Sequence, residues 1–338
     1  MLFRPEPALD PDSAGHTGVL LCNLGSPAAP TAAATRSYLA EFLSDRRVVE
    51  MPPALWQPIL RGVILRTRPA KSAAKYQAIW QADGAPLLVW TQKQAALLGD
   101  YLAPISVLPA MRYGQPSIAA QLDALKASGC SRILVVPLYP QYSGATTASV
   151  IDAVGAWARR ARHVPELRFT GSFHDHPGYI QSLAQSVQSH WQSHGRPSQL
   201  VMSFHGVPER TRALGDPYHA ECLKTAYLLA DRLELKDSEW TLSFQSRFGK
   251  GQWVGPATQT VLRELGRAGA ARVDVMCPGF VSDCLETLEE IAIEGRRDFL
   301  AAGGQAFHYL PCLNDHPDWL AALTDIVWQH VQGWPARR

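Results

Sequence analysis

The sequence predicts an α/β protein built from two similar Rossmann-like domains, each a parallel β-sheet flanked by helices. Two observations support this prediction. Short apolar runs alternate with helical patterns along most of the chain, and such alternation is typical of parallel sheets with right-handed crossovers. Several motifs of the first half also recur in the same order in the second half. Because ligands bind at the carboxyl ends of parallel strands, we expect an active-site cleft between the two domains.

The composition is that of a globular protein. The chain has 338 residues, of which 46% are hydrophobic and 18% charged, enough for two domains. A formal net charge of +2 gives no electrostatic reason to expect nucleic acid as a partner. No uncharged apolar run approaches the ~20 residues that span a bilayer, and the acidic, Pro-rich start does not resemble a signal peptide. Six scattered cysteines without a Cys-x-x-Cys pair argue against a disulfide framework and suit a reducing cytosol.

The first half begins with residues 1–16, which we expect to form a flexible tail. Strands are predicted at residues 17–24, 105–111 and 132–138, and helices at residues 31–43, 85–103 and 118–128. Residues 51–65 are apolar but interrupted by prolines, and they lead to Arg66 and Arg68.

The second half alternates in the same way. Its strands are predicted at residues 167–171, 199–205, 240–245, 272–277 and 306–310, with helices between them. We expect the C-terminal helix to cross back to the first domain. The first domain would then comprise residues 17–163 and 304–338, and the second residues 164–303.

The internal repeat can be followed motif by motif. Residues 23–27 (NLGSP) match residues 204–208 (FHGVP), and residues 112–114 (RYG) match residues 247–249 (RFG). Residues 175–177 and 315–317 are both Asp-His-Pro, in which the Asp is a suitable helix N-cap and the Pro suits the first turn. His174 and His176 can in principle ligate a metal, but a cap-and-loop role is the preferred interpretation.

His205 is the first candidate for chemistry. It ends an apolar run that reads as a buried strand and is cut off by Gly-x-Pro. A histidine at this place is positioned to meet a substrate or a metal, although it can also simply hydrogen-bond its own loop. The equivalent strand end in the first half carries Leu24. The fold itself therefore does not demand a histidine there.

Three glutamates form the second candidate. Residues 277–290 leave a strand and enter a helix, with Ser282 or Asp283 as the expected cap. Glu286, Glu290 and Glu294 are spaced i, i+4, i+8 and so share one helix face. A solvated acidic face is the alternative. However, like charges at this spacing disfavour a helix by a few tenths of a kcal/mol, roughly, per pair, and Glu286 begins the helix where it would point at the cleft.

The motifs that are missing narrow the chemistry. No G-x-G-x-x-G or G-x-x-x-x-G-K-[ST] loop follows a strand, and there is no G-x-S-x-G nucleophile elbow. Nucleotide and acyl-enzyme chemistry are therefore disfavoured. One imidazole with one carboxylate suits proton transfer or loose binding of a divalent transition metal such as Fe²⁺. Two ligands are too few for a permanent structural site, so a metal in transit is the better interpretation.

Four loops carry a recognisable pattern: residues 21–27, residues 137–147 with the run YPQYS, residues 203–208, and residues 277–291. Together they resemble ferrochelatase, of the class II chelatase family, from about residue 18 to the last helix. The resemblance implies a chelatase-like fold and a lyase-class enzyme that inserts Fe²⁺ into protoporphyrin IX, releasing two protons, in the last step of haem biosynthesis. The alternatives are a chelatase for coproporphyrin or sirohydrochlorin, and a non-catalytic haem- or porphyrin-binding protein.

The resemblance also implies roles for single residues. His205 and Glu286 would face each other across the porphyrin and share metal delivery and proton removal. Glu290 and Glu294 would form a path for protons or metal. The residues expected near the macrocycle, its propionates or its pocket walls are Leu24, Arg112, Tyr113, Tyr142, Ser143, Trp253 and Phe280.

Three departures from the family pattern matter. Cys284 stands where many relatives have histidine, and Leu24 stands where coproporphyrin-type relatives tend to carry tyrosine, which favours protoporphyrin. No cysteine follows Cys312, so we expect no [2Fe–2S] cluster and no permanently bound cofactor. Residues 51–65 resemble the family's lip, which would touch a membrane surface transiently. Otherwise we expect a cytoplasmic monomer or homodimer.

Overall fold

The computed structural model describes residue 3, residues 15–247 and residues 251–334. Most of the expected N-terminal tail, 1–16, lies outside the described residues, as do Phe248 and Gly249 of the second-half motif.

The eight predicted strands form two four-stranded sheets with the same parallel topology. The strands are β1 (His16–Asn23), β2 (Ser106–Met111), β3 (Cys130–Pro137), β4 (Glu166–Phe169), β5 (Gln199–His205), β6 (Trp240–Gln245), β7 (Arg272–Met276) and β8 (Ala306–Tyr309). The first sheet has the order β2-β1-β3-β4, and the second has the corresponding order β6-β5-β7-β8. The predicted α/β repeat is therefore confirmed.

Helices connect the strands. They are α1 (Ala32–Phe42), α2 (Pro53–Ile59), α3 (Leu65–Ile79), α4 (Pro86–Leu102), α5 (Ile118–Ala127), α6 (Thr147–Ala158), α7 (Pro177–His194), α8 (Glu209–Ala213), α9 (Tyr218–Arg232), α10 (Thr258–Arg267), α11 (Arg296–Ala301) and α12 (Pro317–His330). Two segments are π-helical, Leu60–Ile64 and Glu286–Gly295, and Asp237–Glu239 is a 3₁₀ turn.

The chain divides into two compact units. The first contains the described residues up to Leu138, Gly144–Gly171 and the described residues from Leu323, and the second contains Tyr139–Ser143 and Ser172–Ala322. This division differs from the expected boundaries after residues 163 and 303. The expected boundaries placed the strand near residue 167 in the second domain and the strand near residue 306 in the first. In the structure β4 instead hydrogen-bonds to β3 in the first sheet, and β8 hydrogen-bonds to β7 in the second.

The central strands of both sheets are buried, which explains why they read as continuous apolar runs. In β1 the four residues from Val19 to Cys22 have no exposed surface, and in β5 the same holds for Leu200, Val201 and Met202. Each such aliphatic side chain contributes roughly 1.5–3 kcal/mol when it is fully buried. The sheets are thus rigid supports for the loops at their carboxyl ends.

The Asp-His-Pro motif at residues 175–177 begins a helix in a different way from the one predicted. His176, not Asp175, is the N-cap residue of α7, and Pro177 takes the first helical position. The Asp175 carboxylate instead accepts a hydrogen bond from Lys224 Nζ at 2.5 Å. His174 Nδ1 lies 3.3 Å from a carboxylate oxygen of Glu221. The N-cap is the residue with non-helical backbone angles just before the first helical residue, and here that residue is His176. Asp175 therefore lies one position too early to cap α7.

The expected lip, residues 51–65, is helical despite its prolines. α2 continues through Pro58 into the π-helical segment Leu60–Ile64 and then α3. Leu55, Ile59 and Val63, four residues apart, are 61%, 41% and 55% exposed, whereas Leu60 is 1% exposed. Within the described residues, no helix combines the length and apolar character needed to cross a membrane.

Candidate active site

His205 is the last residue of β5 and is half-buried. Its Nδ1 lies 2.7 Å from the carbonyl oxygen of Gly206. Because a carbonyl oxygen only accepts hydrogen bonds, Nδ1 must carry the proton in this contact. In the neutral ring Nε2 then holds the lone pair. The loop contact, which was the alternative interpretation of this histidine, therefore orients a basic nitrogen rather than consuming it.

Gly206 allows the chain to turn closely past β6. A Cβ at this position would lie 2.6 Å from the carbonyl oxygen of Gln245, and the Gly206 N–H donates to that same oxygen at 2.7 Å. The Trp253 ring would be 3.4 Å from the same Cβ. Trp253 itself pairs with Pro208 in a short antiparallel bridge, and its carbonyl accepts from Arg247 at 2.8 Å. The ring is thereby held beside the His205 loop.

Gln245 connects His205 to the glutamate helix. It is the register partner of His205 in the parallel pairing of β5 with β6. Its Nε2 donates to the carbonyl oxygen of Glu286 at 2.8 Å, and its Oε1 accepts from Ser203 Oγ at 2.6 Å. One buried amide thus fixes the start of the helix relative to the strand end. The Phe280 ring lies 6.5 Å from the His205 ring, centroid to centroid.

The glutamate segment is a π-helix rather than the expected α-helix. Neither Ser282 nor Asp283 caps it, and Leu285 is the residue before it. Asp283 is instead buried, where it accepts from Thr287 Oγ1 at 3.0 Å and from Tyr309 at 2.5 Å. These contacts engage the Asp283 carboxylate with side chains instead of the amides at the start of the helix. π-Helical turns are rare and occur mostly at functional sites.

Glu290 is gripped by Ser246. The Ser246 N–H donates to Glu290 Oε1 at 2.7 Å, and the Ser246 hydroxyl donates to Oε2. Ser246 has a φ of 60°, which is unusual for a residue other than glycine. Burial raises the pKa of Glu290 above its ordinary value, and the neighbouring Glu286 charge adds to this, whereas Ser246 and His205 act in the opposite direction. His205, Glu286 and Glu290 therefore share one electrostatic environment.

Glu294 and Cys284, the other two candidate positions on or beside this helix, have different surroundings from Glu290. Glu294 is half-buried and lies 3.9 Å from Arg297. Cys284 is buried, and burial raises the pKa of its thiol, with the Glu286 carboxylate raising it further. The thiol at this position therefore stays protonated and contacts Glu286 as a neutral group.

Tyr142 and Ser143 belong to the second unit with the residues above. The Tyr142 N–H donates to Glu221 at 2.7 Å, and Ser143 Oγ donates to Asp216 at 3.2 Å. Tyr142 is half-buried and Ser143 is 4% exposed. The backbone of this loop is therefore anchored to the start of α9, and the Ser143 hydroxyl is already engaged.

Leu24, Arg112 and Tyr113 lie together in the first unit. The Tyr113 N–H donates to the Leu24 carbonyl at 2.9 Å. Arg112 Nη2 lies 2.6 Å from Asp45 Oδ2, and the Tyr113 hydroxyl donates to the same oxygen at 2.8 Å. Ser149 Oγ also donates to it, at 2.5 Å. Arg112 and Tyr113 thus form a buried hub around Asp45 rather than a pair of unengaged polar groups.

Burial raises the pKa of the Asp45 carboxyl, but the hydrogen bonds from Ser149, Arg47 and Tyr113 and the charge of Arg112 outweigh it and hold the pKa below its usual range. Asp45 and Ser149 were not anticipated from the sequence, and neither were Gln245 and Ser246. Only Gln245 carried a recognisable pattern, a polar residue ending an apolar strand beside the strand of His205.

The fold is that of a chelatase. SirB from Bacillus subtilis, solved with Fe³⁺, covers 93% of this chain and 95% of its own with a TM-score of 0.54 at 13% identity. CbiX, described as the terminal enzyme for biosynthesis of sirohaem in denitrifying bacteria, covers 92% and 98% with a TM-score of 0.52 at 16% identity. At such low identity these likenesses establish the fold alone, and they confirm the predicted chelatase-like architecture.

Sequence comparison gives the family. The ferrochelatase family model matches residues 16–331. Ferrochelatase of Methylibium petroleiphilum is 61% identical over 100% of this chain and 94% of its own length, and that of Aromatoleum aromaticum is 61% identical over 98% and 92%. Ferrochelatase of Nitrosomonas europaea is 52% identical over 99% and 93%. The chain belongs to the ferrochelatase family, as its motifs predicted, and is a metal-chelating enzyme.

Proposed function

We propose that this protein is a lyase-class ferrochelatase that inserts Fe²⁺ into protoporphyrin IX to form protohaem. The observation that carries the proposal is the pairing of His205, with a lone pair on Nε2, and Glu286, whose backbone is tied to the strand partner of His205. Insertion exchanges one Fe²⁺ for two pyrrole protons, so the site needs groups that take up protons and briefly hold a cation. An imidazole and a carboxylate do both.

In the proposed mechanism His205 Nε2 and the Glu286 carboxylate form a transient site for Fe²⁺ and for the departing protons. Glu290 accepts protons next, because its raised pKa lets it hold a proton closer to neutral pH than an ordinary carboxyl does. Glu294 completes the path toward solvent. The Ser246 hydrogen bonds keep Glu290 in one orientation while its charge changes.

Aromatic side chains are proposed to bind the macrocycle. Phe280 and Trp253, both beside the His205 loop, are rigid and apolar, and binding energy on such walls can bend a flat porphyrin so that a nitrogen lone pair tilts toward the metal. Tyr142 and Ser143 supply a further contact, with the Tyr142 side chain as the contacting group. Leu24 offers an apolar surface that favours protoporphyrin over substrates with more carboxylates.

Arg112 and Tyr113 are proposed to act through the position of Leu24. Arg112 Nε binds Ser149, and both Arg112 Nη2 and the Tyr113 hydroxyl bind Asp45, while the Tyr113 N–H holds the Leu24 carbonyl. A propionate that paired with Arg112 through Nη2 would have to break the 2.6 Å contact with Asp45. We therefore assign Arg112 and Tyr113 a positioning role for the substrate loop.

The reaction can be tested directly. Purified protein is incubated with protoporphyrin IX and Zn²⁺, or with Fe²⁺ under anaerobic conditions, and porphyrin fluorescence and the Soret band are followed. Turnover in excess over enzyme supports the proposal. A stoichiometric spectral shift without turnover would indicate a binding protein instead. Faster turnover of coproporphyrin or sirohydrochlorin under matched conditions would reassign the substrate.

The exposed ridge of Leu55, Ile59 and Val63, with Arg61, Arg66 and Arg68 nearby in sequence and exposed, is proposed to touch anionic membrane surfaces transiently. We propose a cytoplasmic location and a monomer or homodimer. Flotation with vesicles of phosphatidylglycerol, comparing the wild type with a Leu55→Ser/Val63→Ser variant, tests the contact. Sedimentation velocity gives the oligomeric state.

No permanently bound cofactor, and in particular no [2Fe–2S] cluster, is proposed, with Fe²⁺ as a substrate only. Burial raises the pKa of the Cys277 and Cys312 thiols, which disfavours the thiolates that such clusters require. An absorption spectrum of anaerobically purified protein, together with an assay for acid-labile sulfide, would reveal a cluster if one were present.

A further inference from the structure

A cluster of two imidazoles and one carboxylate lies in the second unit, apart from the glutamate helix. Asp274 is the third residue of β7 and has no exposed surface, and His308 is its register partner on β8. His190, on α7, completes the cluster. Its Nε2 lies 3.0 Å from His308 Nδ1. His190 Nε2 is 3.7 Å from Asp274 Oδ2, and His308 Nδ1 is 3.7 Å from the other carboxylate oxygen, Oδ1. The three donor atoms all lie within 4.8 Å of one another.

Neighbouring groups hold the carboxylate in place. Trp191 Nε1 donates to Asp274 Oδ2 at 3.0 Å, and Arg272 Nε donates to Oδ1 at 2.9 Å. Hydrogen bonds of this kind orient the ligands of protein metal sites. The Arg272 charge also balances part of the Asp274 charge, so a bound cation is held less tightly than by a lone carboxylate. The arrangement suits an ion that exchanges.

The imidazoles are suited to donate lone pairs. The 3.0 Å contact between His190 Nε2 and His308 Nδ1 needs a proton on only one of the two nitrogens, and a tautomeric shift of that proton to the other nitrogen of its ring leaves a lone pair on both. The His308 side chain is 30% exposed, which gives an ion access from solvent. His194 stacks on His190 with ring centroids 4.3 Å apart, and its Nδ1 bonds the His190 carbonyl at 3.0 Å. This contact leaves His194 Nε2 as a further nitrogen close to the cluster.

This cluster is distinct from the site at His205. Asp274 pairs across the sheet with Leu200 of β5, and His205 lies five residues further along that strand. At ~3.3 Å per residue the two positions are about 16 Å apart along the sheet. One ion cannot serve both.

We propose that His190, Asp274 and His308 form a second metal site, which takes a divalent transition ion of the class of Zn²⁺ or Co²⁺. Two imidazole nitrogens and one carboxylate oxygen suit such ions and do not suit Mg²⁺ or Ca²⁺, which prefer oxygen ligands alone. The three ligands come from α7, β7 and β8. Because β8 is the edge strand of its sheet, a bound ion would join that edge to α7 through His308 and His190.

The test separates this site from the proposed active site. Full-length protein carrying His205→Ala and Glu286→Gln is freed of metal with a chelator and titrated with Co²⁺, and the visible d–d absorption is recorded. We expect one equivalent of Co²⁺ to bind and to give these bands. Adding His308→Gln should weaken Co²⁺ binding at least tenfold and abolish the bands. The matched control is His316→Gln, a partly exposed histidine of the same unit outside the cluster, which should bind as its parent does.

A second measurement guards against misfolding. Circular dichroism of the metal-free proteins should be the same with and without His308→Gln, and Zn²⁺ should raise the unfolding midpoint temperature only where the cluster is intact. His190→Gln is a second route to the same loss. If the parent variant binds no Co²⁺, or if His308→Gln and His190→Gln bind it as tightly as the parent, the cluster is only a hydrogen-bonded ion-pair hub and the proposal is overturned.

Discussion

β1 and β5 occupy equivalent places in the two sheets, yet their ends differ in chemistry. At the end of β1 the Asn23 amide donates to Thr91 Oγ1 at 3.1 Å, and its Oδ1 accepts from the Leu24 N–H at 2.9 Å. Both polar atoms of that side chain are therefore engaged, one with α4 and one with the loop that follows β1. At the end of β5, His205 satisfies its loop with Nδ1 alone. The second strand end therefore retains a nitrogen lone pair for chemistry.

The repeated Arg-aromatic-Gly motif shows the same contrast. Arg112 is largely buried against Asp45, whereas Arg247 is exposed and donates to the Trp253 carbonyl. In the first unit the repeat builds a closed hub of polar contacts. In the second it supports an aromatic ring beside a histidine. One scaffold thus carries a loop with engaged polar side chains in one unit and, in the other, the loop that we propose to be reactive.

The largest expected effect tests this contrast at the two strand ends. His205→Ala should lower kcat by about 10³-fold, as loss of a proton-transfer group does, while porphyrin still binds. Leu24→Ala at the equivalent position should mainly raise KM, with a much smaller effect on kcat. Steady-state kinetics with protoporphyrin IX and Zn²⁺, and fluorescence quenching for binding, measure both. Full activity of His205→Ala would remove the histidine from the mechanism.

Glycine substitutions after the two strand ends come next. Gly25 has a φ of 110°, and a Cβ there would lie 1.8 Å from the Tyr113 carbonyl oxygen. Gly25→Ala should therefore destabilise the protein by about 3 kcal/mol or more, and Gly206→Ala, with its 2.6 Å approach, by roughly 1–3 kcal/mol. Urea unfolding followed by circular dichroism gives both values.

The matched control for these glycines is Gly155→Ala. Gly155 lies inside α6, and a Cβ there meets nothing within 4 Å. This change should stabilise the protein by roughly 0.5–1 kcal/mol. If Gly206→Ala stabilised the protein as Gly155→Ala is expected to, the His205 loop would not approach β6 as closely as the structure has it.

Asp45→Asn should break the hub of the first unit and lower the free energy of unfolding by about 2 kcal/mol at pH 7. The folded-state pKa of Asp45 is lowered, so its contribution is present above the unfolded pKa and is lost as pH falls through the folded value. The difference between wild type and variant should thus shrink below pH ~4. Asp152→Asn, which removes an exposed partner of Arg47, is the control and should cost under about 1 kcal/mol. Equal losses for the two variants at pH 7 would argue against the hub.

The smallest effect concerns Ser246, whose aligned position in the first half of the chain is the apolar Met111. Its hydrogen bonds favour the charged form of Glu290, so Ser246→Ala should raise the Glu290 pKa. The acidic limb of the pH profile of kcat should then move to higher pH. Glu290→Gln should remove that limb, whereas Glu294→Gln should leave its position in place. An unshifted profile in Ser246→Ala would exclude Glu290 from the proton path.

Much of the fold follows from local pattern. The alternation of apolar runs with helical periodicity placed all eight strands within a few residues, and the order of the repeated motifs implied two similar sheets. The boundaries between the two domains were less predictable than the strands. β4 and β8 are short and only partly buried, so their sheet membership depends on which neighbour they hydrogen-bond, which no local pattern encodes.

The candidate site also contains residues that local sequence features reveal and residues that only tertiary contacts reveal. His205 and the glutamate spacing were visible because strand ends and helix periodicity are local features. Gln245 and Ser246 were not predicted to act, because their roles arise from contacts with Glu286 and Glu290 some forty positions away in the chain. The hub of Asp45 with Arg112 likewise joins residues distant in sequence.

By itself the sequence determined the α/β class, the internal repeat, the ferrochelatase-like motifs and the histidine and glutamates that we assign to catalysis. Only the tertiary structure decided which nitrogen of His205 retains its lone pair, that the glutamate helix is π-helical, that Arg112 is engaged by Asp45, and that His190, Asp274 and His308 meet. The physical reason is the range of the forces involved. Periodicity records burial, which acts residue by residue, whereas hydrogen bonds and charge interactions depend on partners that only the folded chain brings together.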